Sequence, residues 1–190
     1  MILIEIPRLV LRPIVEADRA EVVRAHAVNE AFWRPWLPTP GEDERTPDGV
    51  FEKLVARSAE VVEKDTGRVF GGFLRDGGRL AGVFTLILIH RFRLQSCYAG
   101  WRVNVEVARQ GLGTEGVTAL LDYAFAPQPA GGGLHRVQAN IIPGNAPSLR
   151  LAEKVGFRRE GLAKQYLHID GRWQDHVMFA KLADEHRASG

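Results

Sequence analysis

The stretch Val107-Ala108-Arg109-Gln110-Gly111-Leu112-Gly113-Thr114-Glu115-Gly116 constrains this chain more than any other, because three glycines lie where a strand-like run gives way to a helix-like one. Glycine lets main chain come close to a ligand. The first amides of a helix have no partner within it, and the helix dipole is positive there. The loop therefore predicts an anion site that suits a diphosphate, with a ligand-free glycine turn as the plainer alternative. Gly111, Gly113 and Gly116 also satisfy the G-x-G-x-x-G pattern of dinucleotide-binding folds, which calls for an acidic residue about 20 positions further on. From Tyr123 through Ala152 there is no Asp or Glu. The loop also follows hairpin strands instead of opening a βαβ unit, so the pattern argues against a dinucleotide fold.

The flanking elements are legible from periodicity. Leu9 to Pro13 reads as an edge strand. Asp18 and Glu21 form a capping-box pattern ahead of a helix with Ala20, Val23 and Ala27 on one face. Phe32 to Pro40 mixes aromatics with prolines and predicts a packed loop. Thr46-Pro47 opens a second amphipathic helix through Val62. Strands are expected at Val69 to Arg75, Leu80 to Ile89 and Ser96 to Val103, the first two joined through Asp76-Gly77-Gly78. A helix from Gly111 ends before Pro127. A strand from Arg136 to Ile142 and a helix from Asn145 to Val155 follow, the latter stopped by Gly156. Two late strands, Arg158 to Tyr166 and Trp173 to Lys181, turn at Asp170-Gly171. The order describes one α+β domain over residues 1–182, in which helices cover a mostly antiparallel sheet, with a polar tail over 183–190.

Composition narrows the function. With 190 residues, 25 Lys and Arg against 23 Asp and Glu, and a net charge of +2, the chain has no strong polyanion signal, and its aromatics do not alternate with a basic stripe. No nucleic-acid partner is expected. One cysteine, Cys97, forms no internal disulfide and no Cys/His cluster has zinc spacing, so a reducing, cytoplasmic and metal-free protein is expected. Apolar runs such as Leu80 to Ile89 are too short to span a bilayer, which excludes insertion in a membrane. The small positive excess is expected to concentrate near the anion site, because the acid-free stretch lies next to it.

With the glycine loop in place, the chain resembles the GNAT superfamily of N-acetyltransferases, and within it the RimJ/RimL branch that acetylates N-termini of ribosomal proteins. Arg109-Gln110-Gly111-Leu112-Gly113 resembles the family's pyrophosphate loop. Asn145-Ala-Pro-Ser148, followed by Glu153-Lys154-Val-Gly156-Phe157, resembles its second motif. Trp36-Leu37-Pro38 and Gly171 to His176 resemble branch-specific stretches. The resemblance implies a GNAT fold, a mixed and mostly antiparallel splayed sheet of about seven strands flanked by about four helices. The strand at Ser96 to Val103 would part from the strand at Arg136 to Ile142 at one end.

Acetyl-CoA would lie in that gap as cosubstrate, its pantetheine arm along the main chain of Val103 to Val105 and its diphosphate on the amides of Gln110, Gly111, Leu112, Gly113 and Thr114. Asn145 and Ser148 would line the thioester end. Ala152 stands where many members carry the tyrosine that protonates the leaving thiolate, so Ser148 is the expected acid, against the alternative of a serine bonded to its own helix. No general base is evident. Glu106 is a candidate, as are Asp175 and His176, and Trp33, Trp36 and Tyr166 either bind the acceptor or fill the core. The expected acceptor is a protein N-terminal amine. A small-molecule amine (an antibiotic, a polyamine or an amino acid) and a non-catalytic acetyl-CoA-binding module remain open alternatives. Many members of the family are dimers, so the resemblance leaves a homodimer open.

Overall fold

A computed structural model describes residues 2–38, 41, 44 and 46–188. Thr39 and Pro40, the end of the proline-rich loop, lie outside the described residues, as do Ser189 and Gly190 of the tail. The strands are β1 (Ile4–Glu5), β2 (Leu9–Arg12), β3 (Gly67–Leu74), β4 (Leu80–His90), β5 (Ser96–Val103), β6 (Arg136–Ile141), β7 (Arg158–Ile169) and β8 (Arg172–Leu182). They form one sheet in the order β1-β2-β3-β4-β5-β6-β8-β7. All neighbours run antiparallel except β5 and β6, which are parallel and pair only at Ser96–Arg136, Cys97–Val137 and Tyr98–Gln138. Beyond Tyr98 the two strands diverge, and the splay expected between them is present. The eighth strand is β1, a two-residue edge piece on β2 too short for periodicity to mark.

Among the described residues five α-helices flank the sheet: α1 (Arg19–Trp33), α2 (Pro47–Glu63), α3 (Leu112–Phe125), α4 (Ala146–Lys154) and α5 (Ala183–Arg187). Helix α3 lies on one face, where Val117, Leu120, Leu121 and Ala124 are buried against Phe70, Phe84, Leu86, Val137 and Phe179. Helices α1 and α2 cover part of the other face, through Val22, Ala25 and Phe51 against Val69, Phe73 and Val83. Successive strand residues serve opposite faces, so Val83 and Phe84 belong to different clusters. Among the described residues, no helix is long and apolar enough to cross a membrane.

Local signals worked where they were chemical. Thr46 Oγ1 accepts from Gly49 N at 3.1 Å to cap α2. Gly156 ends α4 at φ +84°, where the ammonium of Lys181 also donates to Val155 O at 2.7 Å. Three readings are corrected. Helix α1 continues through Phe32 and Trp33 because Val22, Ala25, Asn29 and Trp33 form one buried face, and a 3-10 turn over Arg34–Trp36 follows. Asp18 is not a side-chain cap: its carboxylate pairs with the Arg12 guanidinium and accepts from Val15 N, and Glu21 likewise serves Arg24 and Leu80 N. The stretch expected as a tail begins with α5, held by the buried Ala183 and by His186 Nε2 at 2.7 Å from Asp122 Oδ1.

Candidate active site

The fork between β5 and β6 brings the loop, the second motif and the late hairpin together. After Val103 the chain makes a 3-10 turn over Val105–Val107 and then the glycine loop, where Arg109 has φ +63° and Gly111 φ +84°. No side chain caps α3, so its first amides, at Leu112, Gly113 and Thr114, are left for another acceptor. Arg8, the residue before β2, ties the loop down. Its main-chain N and Nε donate to the two Glu115 carboxylate oxygens at 2.9 and 2.8 Å, and Nη1 donates to Gln110 O at 2.9 Å. The nest is therefore held open by a side chain remote in sequence, which fits a diphosphate ligand.

Helix α1 holds the other side of the junction. Asn29, fully buried, accepts from Val105 N at 2.6 Å, and Trp33 Nε1 donates to Val103 O at 3.1 Å. The Val105 amide expected to meet a pantetheine arm is thus committed to Asn29, whereas the Val103 carbonyl keeps a second lone pair. The two tryptophans divide the alternatives. Trp33 is buried against β5, and Trp36 lines a cleft of about 440 Å³ with Pro143, Gly144, Asp170, Trp173 and Asp175.

Glu106 sits between two guanidinium groups, accepting from Arg79 Nη2 at 2.6 Å and Arg24 Nη1 at 3.0 Å, and these bonds hold its carboxyl below the usual range. That suits an ion-pair clamp better than a proton acceptor. Asp175 is similarly engaged by Lys164 Nζ at 2.7 Å and Gln165 N at 2.9 Å. At the start of α4, Asn145 Oδ1 accepts from Ser148 N at 3.3 Å, while the Ser148 hydroxyl makes no hydrogen bond to the described residues.

Tyr166 and His176, both candidates from the sequence, meet at the fork with Asn140, which local pattern did not single out. Tyr166 accepts from Asn140 Nδ2 at 3.1 Å and lies next to Tyr98, and burial followed by the Tyr98 contact raises its pKa, so it keeps its proton. His176 packs edge-on against Tyr166 with ring centroids 5.5 Å apart. Burial lowers the His176 pKa, and its Nδ1 lies 3.1 Å from Gln174 O, which fixes the proton on Nδ1 and leaves Nε2 unprotonated. Asn140 Oδ1 is buried without a partner. Such orphaned acceptors call for a donor from a ligand or solvent.

Of the two arginines in the acid-free stretch, Arg136 pairs with Glu160, and Arg150 is exposed on α4. The charge near the loop comes instead from Arg8 and Arg109. Among the described residues, no group of His, Cys, Asp and Glu is placed to hold a metal. Cys97 is buried in β5, where burial pushes its thiol up to about 12, so it is a packed side chain and not a nucleophile.

A family model for an acetyltransferase (GNAT) domain matches residues 8–158. A probable N-acetyltransferase, YjcK, of Bacillus subtilis is 33% identical over 172 residues, covering 90% of this chain and 92% of that protein. The [ribosomal protein uS5]-alanine N-acetyltransferase of Escherichia coli is 32% identical over 173 residues, covering 91% of this chain and 87% of its own. Among solved structures, the ribosomal-protein-S5-alanine acetyltransferase of Vibrio fischeri aligns with a TM-score of 0.85 at 26% identity over 97% of this chain and 98% of that one. RimJ of Mycobacterium smegmatis, in complex with CoA-disulfide, aligns with a TM-score of 0.84 at 26% identity over 97% and 93%.

Proposed function

Because the chain belongs to the GNAT acetyltransferase family and is an N-acetyltransferase, we propose that it moves the acetyl group of acetyl-CoA to the N-terminal α-amine of a protein. The observation that carries this reading is the open cleft between Trp36 and Trp173, beside the fork, wide enough at about 440 Å³ for the first residues of a polypeptide. The relative that acts on ribosomal protein uS5 supports the same acceptor class.

The chemistry asks little of a base. An α-amine with a pKa near 7.8 is about 10–20% neutral at pH 7, whereas a lysine is neutral in fewer than roughly one molecule in a thousand. The neutral amine attacks the thioester carbonyl, its nitrogen gains the acetyl group and loses a proton, and the thiolate leaves and takes one up. Among these residues, the free hydroxyl of Ser148 suits donation to the thiolate, and the unpaired Asn140 Oδ1 suits orientation of the attacking N–H. The uncapped amides of Leu112 to Thr114 suit the diphosphate.

The test is acetyl-CoA turnover against N-terminal peptides of ribosomal proteins and a panel of small amines, with mass spectrometry of the products. Acetylation at the peptide α-amine is expected. Turnover confined to polyamines, aminoglycosides or free amino acids overturns the protein acceptor, and binding of acetyl-CoA without transfer to any amine overturns the reaction.

A further inference from the structure

We propose that Arg102 forms an anion-recognition point in the acceptor site and pairs with a carboxylate of the acceptor molecule. The proposal rests on the acetyl-transfer reading above and adds the substrate chemistry. Side chains alternate along β5. Trp101 packs toward Phe157, with centroids 6.2 Å apart, and Val103 Cγ2 lies against the α3 terminus, 3.1 Å from where a Cβ on Gly113 would stand. Arg102 therefore points to the other face, away from the glycine loop, and its guanidinium carbon sits 5.1 Å from the centre of the Trp33 ring. The uncapped amides that suit the cofactor's phosphates lie on the loop side, so those phosphates would not serve it.

Among the described residues this guanidinium has no counter-ion. Its Nε is sealed from solvent with no hydrogen-bond partner, and burial pushes its pKa down to about 10, which leaves it charged at pH 7. No carboxylate among the described residues reaches it at ion-pair distance. Glu44, the acid whose charge bears on it, accepts from Gly41 N at 3.2 Å and lies 3.6 Å from Lys53. Other partly buried arginines differ, since Arg12, Arg68, Arg91 and Arg136 each meet a carboxylate within 3.0 Å. A cation taken from water without an anion is costly, and a planar carboxylate matches the guanidinium fork. The platform is already fixed, because Trp33 is pinned to Val103 O.

Distance selects the acceptor as the source. Tyr98, at the fork, and Arg102 are four residues apart on one face, about 13 Å at the rise of a strand. An extended acceptor with its amine at the fork advances about 3.3–3.6 Å per residue, so the side chain of its second or third residue reaches Arg102. The carboxylate comes from an Asp or Glu there, since the α-carboxyl of a free amino acid stays within about one residue's advance of its amine.

The experiment compares kcat/KM for N-terminal peptides carrying Glu or Gln at the second and third positions, with the intact enzyme and with Arg102→Gln and Arg102→Lys. A preference of about 10- to 100-fold for the acid member is expected in the native enzyme. It should collapse to within about threefold in Arg102→Gln and fall between in Arg102→Lys, which keeps charge but loses the planar fork. KM for acetyl-CoA should stay within about twofold, because Arg102 faces away from the cofactor loop.

The position that discriminates, second or third, identifies the residue that pairs with Arg102. Equal rates for acid and amide in the native enzyme overturn the proposal, whether or not the variants fold, and so does a preference that survives Arg102→Gln. Calorimetric binding of the same pairs to the CoA complex separates the two readings. Acid-selective binding without transfer removes the reaction and keeps the anion point, and transfer without selectivity does the reverse.

Discussion

The three glycines of the loop do different work, and Gly116→Ala separates them. In a helix interior, alanine is favoured over glycine by about 1 kcal/mol, so propensity alone predicts a more stable protein. The packing predicts the opposite. A Cβ on Gly116 would stand 2.2, 2.5 and 2.9 Å from three carbons of the Phe84 ring. The ring has no easy retreat, since it also fills the space over Gly72, where a Cβ would stand 2.6 Å from it. Overpacking of this kind costs about 1–3 kcal/mol and sometimes more. The upper part of that range, less the propensity gain, leaves a net loss of about 1–2 kcal/mol, and in a chain of this length a fall in Tm of about 2–8 °C.

Scanning calorimetry measures the fall, and titration of acetyl-CoA measures binding, which should stay within about twofold because Gly116 lies a turn beyond the open amides. Phe84→Leu should relieve part of the penalty, with a coupling above about 0.5 kcal/mol in the double-mutant cycle. A Tm that is unchanged or raised refutes the packing argument, as does weakened binding at unchanged stability. Gly111→Ala is the counterpart. Its φ of +84° costs a side chain about 1–2 kcal/mol, and the displaced nest should weaken acetyl-CoA binding by about tenfold.

Glu106→Gln should change turnover less than about threefold, where loss of a general base would cost about 10²–10⁴; a hundredfold fall restores it as the base. Ser148→Ala should lower kcat by about 10- to 100-fold with acetyl-CoA affinity unchanged, and full activity would remove its hydroxyl from the acid role. His26 and His176 have pKa values lowered by burial, so between their folded values and the unfolded value near 6.5 the unfolded chain binds more protons. Stability should therefore fall as pH drops below about 6.5, read as urea midpoints from pH 7.5 to 5, and His176→Gln should flatten the slope; an unchanged slope in that variant refutes its share. Asp65, between Arg91 and Arg68, is held below the usual carboxylate range. Its contribution is present above the unfolded pKa near 3.9 and lost as pH falls through the folded value, so Asp65→Asn should reduce stability at pH 7 more than at pH 3; equal losses at both refute it.

What was legible in the sequence was what depends on nearby residues. Hairpin turns at Asp76-Gly77-Gly78 and Asp170-Gly171, the Thr46 cap and the Gly156 stop all follow from short-range backbone chemistry. The capping box at Asp18 failed for the same reason in reverse, because Arg12 lies across the turn and outcompetes the helix amides for the carboxylate. Phe32 and Trp33 looked like loop residues beside their prolines, yet the buried face of α1 carries the helix through them. The polar residues around the fork were least visible. Asn29, Asn140 and Arg102 are ordinary polar residues until the sheet brings α1, β5 and β6 together.

That distribution has a physical consequence for the site. The glycines make the loop able to bind an anion, but they do not by themselves hold it in one shape, since glycine is also the residue with the most freedom to lose. The shape is imposed from outside. Arg8 grips Gln110 O and Glu115, Asn29 holds the Val105 amide, Trp33 holds the Val103 carbonyl, and Arg24 with Arg79 clamps Glu106. Three of these contacts come from α1, the helix that also supports Arg102 through Trp33. On the reading proposed above, a displacement of α1 by an acceptor reaches the loop through Asn29 and Trp33 directly, so the two substrates would share one support.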